Sequence, residues 1–195
     1  MRRRSRRRLL GILVITTWLG HSGAQPTPAA EPATAVRAYD LPGHGKLELA
    51  VPKNWKEEVR RPAGLPPTIT FTPPRGNEFH VQITALWSPQ GDPGFNTPEK
   101  VRALVEQSGR GALPQARERT LVVQTLQGGT ASVPLGYFYT LTDKAPGPDE
   151  YPFMTQGAVA VGELLLTFTV LQRQTHGPEP RRTLDMLAGG RHIRR

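Results

Sequence analysis

Three serines and four histidines follow residue 24 of this 195-residue chain: Ser88, Ser108, Ser132, His44, His80, His176 and His192. Nucleophilic hydrolysis needs a serine activated by a histidine that an acid orients. None of these serines stands in a Gly-x-Ser-x-Gly elbow; Ser108 falls on the core side of an expected helix, and Ser132 falls within an expected strand. No two histidines share the i, i+2 or i, i+4 spacing that brings imidazoles together on a metal. Glu57-Glu58 and Asp149-Glu150 are adjacent acids, whereas glycoside hydrolysis needs two carboxyls facing across a cleft. The loop at residues 143–150 (DKAPGPDE) holds hard oxygen donors but lacks the alternating Asp/Asn pattern of a calcium loop. Gly43-His44-Gly45 and Gly109-Arg110-Gly111 read as a turn and a helix stop, since neither opens a helix after a strand as a phosphate cradle does. The chain is therefore read as non-enzymatic, with no catalytic residue, metal ligand or cofactor assigned.

Aromatics beside long loops suggest recognition instead. Trp87 ends an expected strand just before the loop at residues 88–96 (SPQGDPGFN), which carries Asp92 and Phe95, and Asp149 and Tyr151 lie in and after the second long loop. Rigid rings at loop roots supply contact area at low entropic cost, so Trp87, Asp92, Phe95, Asp149 and Tyr151 form the expected interaction surface. Two alternatives remain open. A small hydrolase or metal-binding protein, with weak metal binding at His44, His80 or His176, would bring a histidine against a carboxylate or a second histidine. A carrier of an apolar molecule would enclose an apolar cavity of several hundred Å3, on the order of a small-ligand pocket.

The charge balance, 25 Lys+Arg against 16 Asp+Glu for a net +9, lies mostly at the two ends. Six of the 25 basic residues fall in the first eight positions, and residues 25–180 carry 14 basic and 15 acidic groups. A nucleic-acid reader needs a basic stripe on its folded surface to displace counterions, so no nucleic-acid partner is expected. The chain has no cysteine, which excludes disulfides, thiolate metal sites, a cysteine nucleophile and an acylated cysteine anchor.

Residues 1–8 are a positive segment, 9–20 (LLGILVITTWLG) an apolar run, and Ser22, Gly23 and Ala24 the small residues of a cleavage site. At 1.5 Å per residue the run spans ~18 Å, short of the ~30 Å hydrocarbon core. It reads as a signal peptide cut between Ala24 and Gln25, which leaves no transmembrane segment in the mature chain and a periplasmic or extracellular product. Ser5-Arg6-Arg7-Arg8-Leu9-Leu10 resembles a twin-arginine address; the Sec route is the one preferred. Residues 25–37 read as a Pro/Ala-rich linker and 191–195 as a basic tail, bracketing a monomeric domain at 38–190.

That domain must position the loops. Residues 47–51, 68–72 and 78–87 alternate as strands, the last two as a hairpin that turns His80 away from the apolar set. Thr97-Pro98-Glu99 has the hydroxyl, proline and acid of a helix start, followed by Val101, Leu104, Val105, Ser108 and Ala112 at helical spacing. Residues 120–126, 131–142, 151–161 and 164–171 form an antiparallel meander. The central strands are apolar on both faces, so both need cover, from residues 55–59 or from a helix near residues 180–188. The order βββ-α-ββββ-α gives an α+β fold: an antiparallel sheet of six or seven strands sandwiched between helices.

Several phrases carry a resemblance: Leu49-Ala50-Val51-Pro52 with Trp55, Phe79-His80-Val81-Gln82-Ile83-Thr84, Gly136-Tyr137-Phe138-Tyr139, and Gln156-Gly157 followed by Leu165-Leu166-Thr167-Phe168-Thr169. Together they resemble the Mog1/PsbP-like superfamily across nearly the whole of residues 38–190. The resemblance implies a sheet between helices and an accessory or interaction role toward a protein or envelope partner, without catalytic residues, because these phrases describe packing rather than chemistry. The export reading is checked by mass spectrometry of the protein recovered from outside the cytoplasm: the expected N-terminus is Gln25, and an intact residue 1 would overturn it.

Overall fold

The computed structural model describes residues 33–88, 90–128 and 135–194. The expected signal segment with its expected cleavage site at Ala24 and Gln25, most of the expected linker, and Ser132 lie outside the described residues. Among the described residues, ten strands and two α-helices follow in the order βββββ-α-ββββ-α-β. They are β1 (Thr34–Leu41), β2 (Gly45–Pro52), β3 (Lys56–Arg60), β4 (Thr68–Thr72), β5 (Phe79–Leu86), α1 (Pro98–Ala112), β6 (Gln124–Leu126), β7 (Gly136–Thr142), β8 (Phe153–Val161), β9 (Leu164–Gln172), α2 (Glu179–Ala188) and β10 (Arg191–Ile193).

Seven strands form an antiparallel sheet in the order β3-β4-β5-β9-β8-β7-β6, and β1-β2-β10 form a second sheet of three. The alternation in residues 68–86 yields the β4–β5 hairpin, with Ile69 opposite Ile83, and β6 to β9 form the expected meander. The pairing that joins the two halves is β5 with β9, from Phe79 opposite Gln172 to Leu86 opposite Leu165.

On one face of β9, Leu164, Leu166, Phe168 and Val170 pack with Ile69, Phe71, Val81 and Ile83 against Leu41, Leu47, Leu49 and Val51 of the small sheet and Met186 and Leu187 of α2. At roughly 1.5–3 kcal/mol for each large apolar side chain buried, this face dominates the fold's stability. On the other face Leu165 joins Tyr137, Tyr139, Leu141 and Ala158 beneath Val101 and Val105 of α1. A carboxylate ties the two sheets: Glu57 on β3 accepts from Arg37 at 2.8 Å and from the Tyr39 hydroxyl at 2.5 Å. Its neighbour Glu58 pairs with Arg60 at 2.7 Å, so the two adjacent acids serve separate contacts.

Several expectations are corrected. Residues 56–60 do not cover the sheet; they form its edge strand β3, while the buried Trp55 packs on Phe71 and Phe79 with ring centroids at 5.7 and 5.0 Å. The second face is covered by the small sheet together with α2. Residues 34–37 of the expected linker belong to β1, which pairs with β2 along its whole length, and the expected tail supplies β10 opposite residues 46–48. Strand β6 starts at Gln124 rather than at residue 120, and residues 131–134 of the next expected strand lie outside the described residues.

Thr97 has the extended backbone of a helix N-cap but makes no side-chain cap. Helix α1 then runs through both of its glycines to Ala112. Gly109 is not a stop signal. It is buried, and a Cβ there would stand 2.6 Å from Leu121 Cδ1 and 3.1 Å from Tyr139 Cδ1, so a hydrogen in that place lets the helix approach the sheet. Ser108 turns toward the sheet, as expected, with its Oγ 3.1 Å from the Tyr139 hydroxyl, although the residue itself stays exposed.

Close approach also governs β8, where a Cβ on Gly157 would meet the Tyr137 carbonyl oxygen and stand 2.7 Å from Phe138 Cβ. Because backbone has to shift to make room, Gly157→Ala is expected to cost about 1–3 kcal/mol, a fall in Tm on the order of 5 °C. Gly111→Ala, whose Cβ meets nothing within 4 Å, is expected to gain several tenths of a kcal/mol from helix propensity. Thermal denaturation of both variants checks the contrast.

Candidate interaction surface

Four segments meet where β5 ends. The β1–β2 turn closes through His44 N–H to the Leu41 carbonyl at 2.9 Å. In the loop after β5, Asp92 N–H donates to Ser88 Oγ at 2.9 Å and Gly94 N–H to Asp92 Oδ1 at 2.8 Å, while Lys100 of α1 reaches Asp92 Oδ2 at 3.3 Å. These contacts hold the Asp92 carboxyl below its usual range, the Gly94 amide first and Lys100 second. A lowered carboxyl favours the folded loop above the ordinary carboxyl range, and that contribution fades as pH falls through the folded value. Asn96 then ties the loop to the β8–β9 turn, donating to the carbonyls of Gly162 at 2.9 Å and Leu164 at 2.8 Å.

The fourth segment is β10. His192 Nε2 donates to the His44 carbonyl at 2.7 Å, and Nδ1 accepts from the Glu163 amide at 3.4 Å. Arg194 closes the set with an ion pair to Glu163 at 2.8 Å.

Trp87 stands at the centre of this end. Its half-buried ring stacks on His44 with centroids 4.4 Å apart and planes at 29°. On one side lies a polar cleft of about 430 Å3, lined by His44, Asp92, Asn96, Glu163 and Arg194. On the other lies a cleft of about 520 Å3 with a mainly apolar wall of Pro42, Pro62, Leu65, Pro66 and Pro67, and with Arg61 at its edge. Leu65 is 63% exposed. Arg61 is exposed and makes no ion pair among the described residues.

Of the five expected surface residues, Trp87 and Asp92 share a cleft, and Phe95 lies in the same loop but packs against the cluster under α1. Asp149 and Tyr151 lie at the opposite end of the sheet, a β9 length of about 30 Å away. There Arg173 sits 5.2 Å over the Tyr151 ring and donates to the carbonyls of Asp149 at 2.8 Å and Asn77 at 3.2 Å. That cluster knots two loops together and is not part of the Trp87 surface.

Of the four histidines, His44 and His192 meet at the Trp87 end, and the other two lie apart from it. His80 faces away from the main core opposite Leu171, and His176 sits in a left-handed turn at φ 61° after β9. Among the described residues no three His, Asp or Glu side chains gather as a metal set, and no helix is long and apolar enough to cross a membrane. Sequence reasoning missed Asn96, Glu163, His192, Arg194, Arg61 and Leu65. Only the proline density around Leu65 marked any of them locally.

A third cleft, of about 230 Å3, opens beside α1 over the central strands. Gln156 Oε1 accepts from Ser108 at 3.0 Å and from the Tyr139 hydroxyl, Ser108 Oγ lies 3.1 Å from that hydroxyl, and Gln156 Nε2 donates to Thr169 Oγ1 at 3.0 Å. Burial pushes the Tyr139 hydroxyl up from its ordinary value, with the Ser108 contact opposing. Near the far end of β9, Leu141, Tyr151, Met154 and Leu171 line an open apolar groove of about 300 Å3.

No family model matches the sequence, and no curated protein matches it. Among solved structures the chain is similar to the solution structure of cyanobacterial PsbP (CyanoP) from Synechocystis sp. PCC 6803, at 13% identity and TM-score 0.47, covering 87% of this chain and 99% of that one. At this identity and TM-score the similarity says nothing of partner, ligand or location.

Tyr39 and Tyr139 set an alkaline limit. Burial raises both hydroxyls above the ordinary tyrosine value, reinforced at Tyr39 by its bond to Glu57. The stability they contribute is complete below pH ~10, the unfolded value, and is lost as pH rises toward the folded values. Chemical denaturation at alkaline pH is expected to show that decline, with a shallower slope in Tyr39→Phe and in Tyr139→Phe.

Proposed function

We propose that this protein is an exported binding domain whose working surface is the Trp87 end of the sheet. Its partner is a protein segment presenting an apolar side chain next to a carboxylate. The observation that carries the reading is Trp87 itself, a half-buried indole stacked on His44 at the shared rim of a polar and an apolar cleft. An aromatic held in place by stacking and bordering two clefts is the kind of group that dominates binding energy in interfaces. The prolines beside it are stiff before any partner arrives, so docking there orders few new torsions. Arg61 supplies the charge preference, since Asp92 and Glu163 already hold Lys100 and Arg194, while its own guanidinium is free for a carboxylate. The signal-like N-terminus supports export.

A photo-crosslinking residue at position 65, with the same residue at position 104 on α1 as control, tests the surface in intact cells. A discrete adduct from position 65 that Trp87→Ala abolishes is expected. The partner so identified should then bind Trp87→Ala at least about 30-fold more weakly, the effect of a 2 kcal/mol hot spot. An adduct indifferent to Trp87→Ala, or adducts from position 104 alone, would overturn the assignment.

A further inference from the structure

Helix α1 packs on β7 and β8, and the cleft beside it is floored by β5, β8 and β9. Along the uncovered side the strands present Gln82 and Thr84 from β5, Gln156 from β8, and Thr167 and Thr169 from β9. Three features of this cleft go together. Its lining holds no carboxylate, amine, guanidinium or imidazole, and burial keeps the one ionisable group, Tyr139, in its neutral form. A charged ligand would lose hydration there without gaining a counter-charge.

Its polar groups also offer both senses of hydrogen bond. Tyr139 directs its hydrogen to Gln156 Oε1, and Ser108 shares its single hydrogen between Gln156 Oε1 and the Tyr139 hydroxyl, which leaves lone pairs on the Ser108 oxygen. Thr169 accepts from Gln156 Nε2 and keeps its own hydrogen to donate. A hydroxyl, which donates and accepts at one atom, suits such a lining better than a carbonyl or an amine does. Third, the helix wall is apolar: Leu104, 39% exposed, stands over Val105, so the cleft pairs a polar floor with an aliphatic side. Its volume of about 230 Å3 lies below the range of about 300–1,000 Å3 of pockets for drug-sized ligands.

We propose that this cleft binds a neutral, polyhydroxylated small molecule of the size of a single sugar ring, its hydroxyls on the Ser108–Tyr139–Gln156–Thr169 cluster and its C–H face against Leu104. The site is separate from the Trp87 surface and does not depend on the function proposed for it.

The test uses the full chain, 15N-labelled, titrated with myo-inositol and with methyl glucopyranoside as neutral probes and with glucuronate as the charged counterpart. Saturable shifts of the Gln82 and Gln156 side-chain amides with at least one neutral probe are expected, in the millimolar affinity range of small exposed sites, with glucuronate at least about tenfold weaker. Ser108→Ala, which removes one hydroxyl and keeps a good helix former, should weaken the neutral probe by about tenfold, a loss typical of one hydrogen bond with its partner left unpaired. Should that variant fail to fold, Thr169→Val tests the same cluster from the strand side. Shifts that do not saturate with either neutral probe, equal binding of glucuronate, or indifference to whichever variant folds would each overturn the proposal.

Discussion

The pairing of β5 with β9 is the contact on which the rest of this structure depends. It joins two strands about ninety residues apart in the chain, placing β9 at the middle of a seven-stranded sheet with neighbours on both sides and no edge of its own. The apolar side chains of a strand so placed need cover on whichever face they occupy, because its backbone groups are satisfied in the sheet and only its side chains reach the layers on either side. The sequence of β9 makes those interiors unequal. Leu164, Leu166, Phe168 and Val170 demand a thick apolar layer on one face, supplied by β1, β2 and α2, while on the other Leu165 packs beneath α1 and Thr167, Thr169 and Leu171 stay half-buried.

That inequality creates the two places where chemistry can happen. Because Thr167 and Thr169 stand where leucines would have required cover, the floor beside α1 can remain open and polar. Gly109 brings the helix down onto Tyr139 on its covered side, and Ser108, the next residue, is carried to the hydroxyl and amide groups of β7 and β8. The cleft follows from a helix seated closely on two strands and not extended over the remainder.

At the end of the sheet the same layering gathers segments remote from one another in the chain. The small sheet brings its β1–β2 turn over the end of β5, which puts His44 on Trp87. Strand β10 completes that sheet and carries His192 into the gap between the β1–β2 and β8–β9 turns, so the last residues of the chain help to build the surface they border. The ion pairs at this end are exposed and contribute little stability by themselves. Hydrogen bonds from Asn96 and His192 to backbone groups are what hold the loops in register.

Much of this was written in local pattern. Alternation in residues 68–86 specified the β4–β5 hairpin and the side to which His80 turns; Thr97-Pro98-Glu99 specified where α1 begins; and apolar residues on both faces of residues 164–171 required a covered central strand. The gathering at Trp87 was not legible in that way. Residues 34–37 and 191–193 have too little alternation to announce strands, and become strands only because β2 offers backbone partners on both of its edges. Gly109 reads as a stop in a helical pattern until Tyr139 and Leu121 lie against it. Asp149 and Tyr151 looked equivalent to Trp87 and Asp92 because aromatics beside loops are alike in one dimension; the length of β9 separates them. The sequence by itself determined the periods, the breaks and the two-faced character of the central strands, since these depend on each residue and its near neighbours. Which strands became neighbours, and so which side chains share a cleft, was decided only by the tertiary structure, because burying both faces of β9 is a condition on the whole chain at once.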